Sequence, residues 1–253
     1  MSPWMRAVLA LLAFCLAAGA AQAAASVPVP RRYGDFAHYT FALDWLPGGC
    51  GDQCTRAQPH DVRLGIHGLW ASRPQRLIRE HVAPPRWWAE GCGLLGGDAH
   101  AALPLDAAQR QAIEAWMPHF TLSLLLHEYR KHVQCFGFDA ARFFAFEAQL
   151  RQRVADGPLG HYLDAHAGQR VSHADLLAAF SSAYGVHVAR ALQLRCTRPA
   201  DGQARLSQLW FTVRRQRVGD FPRAGAYMRA PQAQDDCPAH FVIPDWPQAG
   251  ASR

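Results

Sequence analysis

The sequence is almost devoid of lysine. Of its 26 lysine and arginine residues, only Lys131 is a lysine. An ammonium group is a compact point donor whereas a guanidinium is a planar fork, so a single retained lysine hints at a position where a point charge matters, although chance could also leave one. The sequence has no visible internal repeat, and its modest charge and many aromatic residues exclude a disordered chain.

Long apolar runs are absent beyond the N-terminus. There Arg6 precedes the apolar run "AVLALLAFCLAAGAA", which ends in the small residues "AQAAAS". This arrangement is typical of a secretory signal peptide, and the run is too short for a comfortable membrane span. We therefore expect cleavage after Ala23, a signal peptide over 1–23, one folded domain over 24–253, and a periplasmic or secreted protein without a membrane partner.

Cysteine is sparse, and the signal peptide removes one of the seven. In an exported chain the even number that remains argues for disulfides rather than free thiols, although spacing alone does not settle the pairing. The remaining cysteines are Cys50, Cys54, Cys92, Cys135, Cys196 and Cys237.

Acidic residues are fewer than basic ones. Once Arg6 is lost, 25 basic side chains face 20 acidic ones, for a net charge of +5 with histidine neutral. A basic exported protein suits an anionic partner such as nucleic acid. On charge alone, an arginine-rich composition without such a partner is an equally good reading.

The hydrophobic pattern predicts an α+β fold with a mostly antiparallel central sheet flanked by helices. We read 72–98 as an irregular excursion and 235–247 as a loop-like tail tied down by Cys237. The predicted strands are 36–45, 61–70, 186–196 and 204–215. The predicted helices are 107–117 with Asp106 as cap, 122–135, 141–154, and 174–184 opened by Ser172 or His173 and ended by Gly185.

In the predicted strand 61–70, "DVRLGIHGLW", one histidine points away from the core. Leu64 and Ile66 fall on one face, and His67 falls on the other. The neighbouring Gly65 and Gly68 carry no side chains that would crowd it. His67 is therefore a candidate functional residue.

The predicted helix 122–135 carries a cluster of ionisable side chains in "HEYRKHVQC". At about 100° per residue, Glu128 lies about 40° from His132 and about 60° from Lys131, so the three share one face. His127 lies at the edge of that face, about 40° from Lys131. On the segment alone, a solvated cluster of salt bridges is the simplest reading.

A metal site is the other reading of this helix, and the sequence argues against it. The zinc-hydrolase pattern H-E-x-x-H fails, because Lys131 stands at its fifth position. On an α-helix His127 and His132 are about 140° apart, so they would not easily share one metal. The Lys131 ammonium would also oppose a cation.

Taken together, "GIHGLW" (65–70) and "HEYRKHVQC" (127–135) resemble the two signature segments of the ribonuclease T2 family, secreted RNA-degrading enzymes. "FALDWLPGGC", "WWAEGC" and the order of the cysteines fit the same family, and the resemblance covers roughly residues 36–240. It implies a metal-independent, cofactor-free endoribonuclease with a ribonuclease T2-like, disulfide-stabilised fold, acting on single-stranded RNA. We expect a monomer.

The resemblance also implies residue roles. His67 is similar to the general acid and His132 to the general base, while Glu128 and Lys131 match the residues that stabilise the transition state. The implied substrate-binding residues are His127 for phosphate, Trp70 for a base, and Ser72 at a position where some relatives carry an acidic residue. The implied disulfides are Cys92–Cys135, Cys196–Cys237 and Cys50–Cys54.

The chemistry is coherent for RNA, because its 2′-hydroxyl is a nucleophile already beside the scissile phosphate. Two imidazoles can share the proton transfers, giving a 2′,3′-cyclic phosphate and then a 3′-phosphate. Ser72 can donate or accept, which predicts broad base specificity. Val133 and Gln134 replace the Gly-Thr or Gly-Ala usual in the family, so an alternative is an RNA-binding protein of this fold with weakened catalysis.

Overall fold

The computed structural model describes residues 26–49, 62–116 and 121–247. The predicted signal peptide and the predicted Cys50–Cys54 disulfide lie outside these residues. Within the described ranges, no helix is both long and apolar enough to cross a bilayer.

A six-stranded sheet forms the centre of the fold. Its strands are β1 (His38–Trp45), β2 (Leu64–Ala71), β3 (Arg170–Ser172), β4 (Leu192–Thr197), β5 (Arg205–Arg214) and β6 (His240–Val242). The order is β2-β1-β5-β6-β3, and β4 also pairs with β5. The pairing of β5 with β6 is parallel and the others are antiparallel. The predicted α+β class with a mostly antiparallel sheet is confirmed.

Helices pack against this sheet, and local capping explains where several of them begin. The side chains of Thr121, Asp139 and Ser172 each accept a hydrogen bond from a backbone N–H in the first turn that follows. Asp106 and Gln109 cap each other reciprocally. The helices are α1 (Leu46–Gly49), α2 (Gln75–Arg79), α3 (Pro84–Glu90), α4 (Ala107–Trp116), α5 (Leu122–Glu128), α6 (Ala140–Ala155), α7 (Pro158–Ala165) and α8 (His173–Tyr184).

Some elements differ from the sequence predictions. The stretch 72–98 is not irregular, because it holds α2, α3 and a 3-10 segment, Gly91–Leu95. Helix α7 was missed because Pro158, read as a helix end, stands at its first turn, where proline is tolerated. The strand predicted over 186–196 begins only at Leu192. The tail contributes β6, which pairs with β3.

The core lies where the strand alternation places it. Phe41, Leu43 and Trp45 are all buried on β1, as their spacing predicts. Two of the predicted disulfides are confirmed in the described residues: Cys92–Cys135 and Cys196–Cys237. The first joins the 3-10 segment after α3 to the end of the α5 segment, and the second holds the tail beside β4.

Candidate active site

A β-bulge in β2 brings His67 and Trp70 to the same side of the sheet. The pairing of β1 with β2 skips one residue between Ile66 and Gly68, so His67 is the extra residue. Strict alternation would send Trp70 toward the core with Ile66, but the extra residue reverses the alternation. Leu69 is therefore buried, and His67 and Trp70 both line a cavity.

The second predicted segment begins as α5 and continues as a π-helical turn, Tyr129–Val133. The N–H of Gln134 donates to the carbonyl oxygen of Tyr129, so this turn closes over five residues. Side chains five apart consequently lie on one side of the helix. The ring centroids of His127 and His132 are 6.3 Å apart. The prediction that these imidazoles point apart was wrong, because it assumed an α-helix.

The two segments face each other across a cavity of about 460 Å³. Every predicted catalytic and substrate-binding residue lines it: His67, Trp70, Ser72, His127, Glu128, Lys131 and His132.

Trp70 links the strand to the helix. Its Nε1 donates a 2.7 Å hydrogen bond to Oε2 of Glu128. Its ring lies edge-on to His67, with centroids 5.0 Å apart, and at 34° to the ring of His132, with centroids 5.5 Å apart. A Cβ on Gly68 would come within 2.4 Å of both hydrogen-bonded atoms. Trp70 is therefore enclosed among the candidate catalytic groups, and glycine at position 68 makes room for its bond to Glu128.

A second glycine makes room for Lys131. Gly91 has a φ of +50°, and a Cβ there would lie 2.3 Å from the carbonyl oxygen and 2.7 Å from the Cγ of Lys131. The next residue, Cys92, forms the disulfide to Cys135. The 3-10 segment and the π-helical turn are thus held in direct contact behind the lysine.

The two imidazoles have pKa values displaced in opposite directions. Burial lowers the pKa of His67, but the hydrogen bond and charge of Asp44 and the charge of Glu128 more than offset it, so the pKa is raised above 6.5. Burial holds the pKa of His132 well below 6.5, and the charge of Lys131 lowers it further. At neutral pH, His67 therefore favours the charged form and His132 the neutral form.

Two carboxyl groups are buried behind the cavity. Burial raises the pKa of Glu128 to about 7, although the charge of His67 and the hydrogen bond from Trp70 oppose this. Oε1 of Glu128 is buried without a hydrogen-bond partner in the described structure. Glu147 on α6 is 1% exposed, and its burial and the charge of Glu128 hold its pKa well above 4.5.

Ser72 is held by the backbone of β1 and the residue before it. Its Oγ accepts from the N–H groups of Ala37 and His38 at 3.1 and 3.2 Å. Both lone pairs are therefore occupied, and its hydroxyl proton is what remains for a ligand.

Sequence reasoning missed three cavity or site residues. Asp44 and Gln208 contact Nδ1 of His67, at 3.3 and 2.8 Å. His38, read from sequence as a surface or packing residue, lines the cavity, and burial lowers its pKa to about 4. The available signals were Asp44 in an apolar strand and Gln208 between apolar residues, but only the pairing of β1 with β5 brings them together.

One set of side chains has the spacing of a metal site. Ligand atoms of His127, Glu128 and His132 lie within 4.8 Å of one another. The π-helical turn creates this proximity, so the geometric part of the sequence argument against a metal was wrong. The Lys131 ammonium follows on the same turn and disfavours a cation.

Comparisons with known proteins agree on one family. The model of the Ribonuclease T2 family matches residues 36–220. Ribonuclease I of Escherichia coli (strain K12) is 27% identical over 242 residues, covering 84% of this chain and 88% of that protein. Among solved structures, RNase MC1 from bitter gourd seeds superposes with a TM-score of 0.54 at 17% identity, covering 82% of this chain and 100% of that one. RNase NT in complex with 5′-AMP gives 0.56 at 17% identity, with coverage of 83% and 98%.

Proposed function

The chain belongs to the ribonuclease T2 family and is a ribonuclease, and we propose that it cleaves single-stranded RNA internally by metal-independent acid–base catalysis. The observation that carries this mechanism is the pair of imidazoles, His67 and His132, which line one cavity with pKa values displaced to opposite sides of 6.5. Near neutral pH this pair offers one proton donor and one proton acceptor, as transfer between two RNA oxygens requires.

In the first step, His132 removes the proton of the 2′-hydroxyl, whose oxygen attacks the adjacent phosphorus. His67 donates a proton to the 5′-oxygen as the bond from phosphorus to that oxygen breaks. The products are a 2′,3′-cyclic phosphate and a free 5′-hydroxyl. In the second step water opens the cyclic phosphate to a 3′-phosphate, with the two imidazoles exchanging roles.

Lys131 and Glu128 act on the phosphate oxygens in this mechanism. The ammonium of Lys131 neutralises charge that develops on a non-bridging oxygen. Since the pKa of Glu128 is about 7, a substantial fraction is protonated near neutral pH and can donate from its free Oε1. An ionised carboxylate there would repel the phosphate. His127, at the rim, is positioned to contact a phosphate in its charged form.

Base recognition is proposed to be broad. RNase NT binds 5′-AMP according to its title, which supports a nucleotide in the equivalent cavity here. In this chain Ser72 offers only a hydroxyl proton, and every base has an acceptor on its edge. Trp70 was expected to stack on a base, but its contacts with His67 and His132 favour a role in ordering the site.

The protein is proposed to act outside the cytoplasm, as a single domain after removal of residues 1–23. The two disulfides of the described residues suit an oxidising compartment, and the net positive charge suits an anionic polymer.

The deciding experiment is incubation of the purified mature chain with RNA in EDTA, followed by mass analysis of product ends. We expect cyclic phosphate and 3′-phosphate ends with undiminished rate. Activity abolished by EDTA and restored by zinc would instead support a metal hydrolase using His127, Glu128 and His132, the cluster whose spacing favours that alternative. RNA binding without cleavage would support the alternative of weakened catalysis associated with Val133 and Gln134.

A further inference from the structure

Nδ1 of His67 lies between two groups that make opposite demands on it. Oδ1 of Asp44 is 3.3 Å away and Nε2 of Gln208 is 2.8 Å away. A carboxylate only accepts, so Asp44 requires a proton on Nδ1. An amide nitrogen only donates, so Gln208 requires Nδ1 to be bare. The neutral imidazole can satisfy one of these neighbours at a time.

The orientation of the Gln208 amide is fixed by a third residue. Its Oε1 accepts a 2.7 Å hydrogen bond from Nε1 of Trp210. An indole N–H only donates, so the amide oxygen must face Trp210 and the amide nitrogen must face His67. Asp44 and Gln208 are directly paired across β1 and β5, which places both beside the ring.

We propose that Asp44 is a positioning residue that keeps the proton on Nδ1 of His67 against the competing amide of Gln208, leaving Nε2 free to exchange protons with the substrate. This inference rests on the proposed function. It adds a division of labour between the two faces of the imidazole, with Nδ1 anchored on the sheet and Nε2 serving the reaction.

The two chemical steps depend on Asp44 to different extents. In the first, the charged imidazole gives its Nε2 proton to the 5′-oxygen and keeps Nδ1–H bonded to Asp44. In the second, Nε2 of the neutral ring must accept a proton from water as water attacks phosphorus, while His132 returns its proton to the departing 2′-oxygen. If Gln208 holds Nδ1 instead, the ring proton sits on Nε2 and the second step has no base.

Other charged groups also face His67, from the α5 segment. Glu128 favours its charged form, and Lys131 opposes it. His127 and His132 are also electrostatically coupled to it. All four remain in a variant of Asp44, so an Asp44→Asn substitution reports on the carboxylate of β1 alone.

The test combines a tautomer measurement with the ratio of the two reaction rates. ¹⁵N NMR of histidine-labelled protein, with the His67 resonances identified from His67→Ala, reads which ring nitrogen carries the proton. Cleavage of a dinucleotide and hydrolysis of a 2′,3′-cyclic nucleotide are then measured for wild type, Asp44→Asn and Asp44→Asn/Gln208→Leu. Asp164→Asn, on the far side of the sheet in a 3.6 Å ion pair with Arg63, is the matched control.

In the wild type we expect neutral His67 to carry its proton on Nδ1. Asp44→Asn should move the proton to Nε2, lower the pKa of His67, and slow cyclic phosphate hydrolysis about tenfold more than cleavage, so that the cyclic product accumulates. The loss should be smaller than the one known for the buried Ser-His-Asp triad, because Asp44 and His67 are partly exposed. Removing the competing amide in the double variant should restore most of the hydrolysis.

Two results would overturn the proposal. One is a wild-type His67 that carries its proton on Nε2, which needs no variant to detect. The other is an Asp44→Asn protein with the same tautomer and the same ratio of hydrolysis to cleavage as wild type. Failure of the wild type to cleave RNA at all would instead count against the proposed function, and the NMR reading would still decide the tautomer.

Discussion

Nε1 of Trp70 donates to Oε2 of Glu128 over the bare Cα of Gly68, with a donor–acceptor distance of 2.7 Å. This bond joins β2 to the α5 segment inside the cavity. It fixes one oxygen of Glu128 and leaves the other, Oε1, without a partner. The relative position of the two segments is thus set at the point where the proposed reaction takes place.

Gly68→Ala should break this arrangement. A methyl group would lie 2.4 Å from both bonded atoms, so Trp70 and Glu128 would have to separate. We expect kcat/KM on RNA to fall by about 10²-fold, because small displacements of catalytic groups are costly. Gly93→Ala is the control, since a Cβ there meets nothing within 4 Å. Equal activity of the two variants, with circular dichroism showing both folded, would refute this account.

The rate should depend on pH as a broad bell. His132 must be neutral, and its pKa lies well below 6.5, so the acid limb lies below that value. His67 must be charged, and its pKa is raised above 6.5, so the alkaline limb lies above it. His67→Ala and His132→Ala should each remove most activity and one limb. A variant of either residue that keeps a near wild-type rate would show that its role is misassigned.

Lys131→Arg should lower kcat with little change in RNA affinity. The charge is kept, but the planar fork replaces a point donor, and the stem packs against Gly91 where no extra room exists. Single-turnover rates and binding of a non-cleavable 2′-deoxy analogue separate the two effects. Arg130→Lys is the control, because Arg130 bonds the carbonyl oxygens of His100 and Ala101. An unchanged kcat in Lys131→Arg would reduce the lone lysine to coincidence.

Dinucleotide cleavage rates should differ by about tenfold or less, roughly the discrimination available from one hydrogen bond. The reason is that Ser72 offers only a proton, and each base has an acceptor. Ser72→Asp should narrow the spectrum toward bases with exocyclic amino groups. Rates over a full set of dinucleotides decide this, and a strong wild-type preference for one 5′ base would contradict it.

Glu147→Gln should change how stability depends on pH. Because burial raises the pKa of Glu147 well above 4.5, the folded state holds a proton that the unfolded state releases once pH exceeds that value. Wild-type stability should therefore fall, relative to the variant, by up to about 1.4 kcal/mol per pH unit above that point. Urea unfolding between pH 4 and 8 measures the difference. Parallel curves for the two proteins would rule out a buried proton on Glu147.

Periodicity and capping made much of the fold predictable from sequence. The burial of Phe41 and Leu43 follows from alternation, and Asp106 and Ser172 cap their helices through bonds to nearby residues. Short elements such as β3 and β6 carry too few residues for a pattern and exist because they pair with each other.

The candidate site was predictable in composition but not in geometry. The two motifs supplied the residues that line the cavity, including His67 and Lys131. The bulge at His67 and the π-helical turn were not predictable, since each inserts one residue into a regular period at a place set by tertiary contacts. Asp44 and Gln208 come from strands distant in sequence, so their meeting at His67 required the register of the sheet.

The π-helical turn also bears on which changes in chain length this enzyme can tolerate. Such a turn is an α-helix that has gained one residue, so losing a single codon within Tyr129–Val133 would return the segment to an ordinary helix. Everything after the deletion would then rotate by about 100° relative to what precedes it. The helix would survive, but His127 and His132 would part and Cys135 would turn away from Cys92. In this stretch, the number of residues is as strictly constrained as their identity.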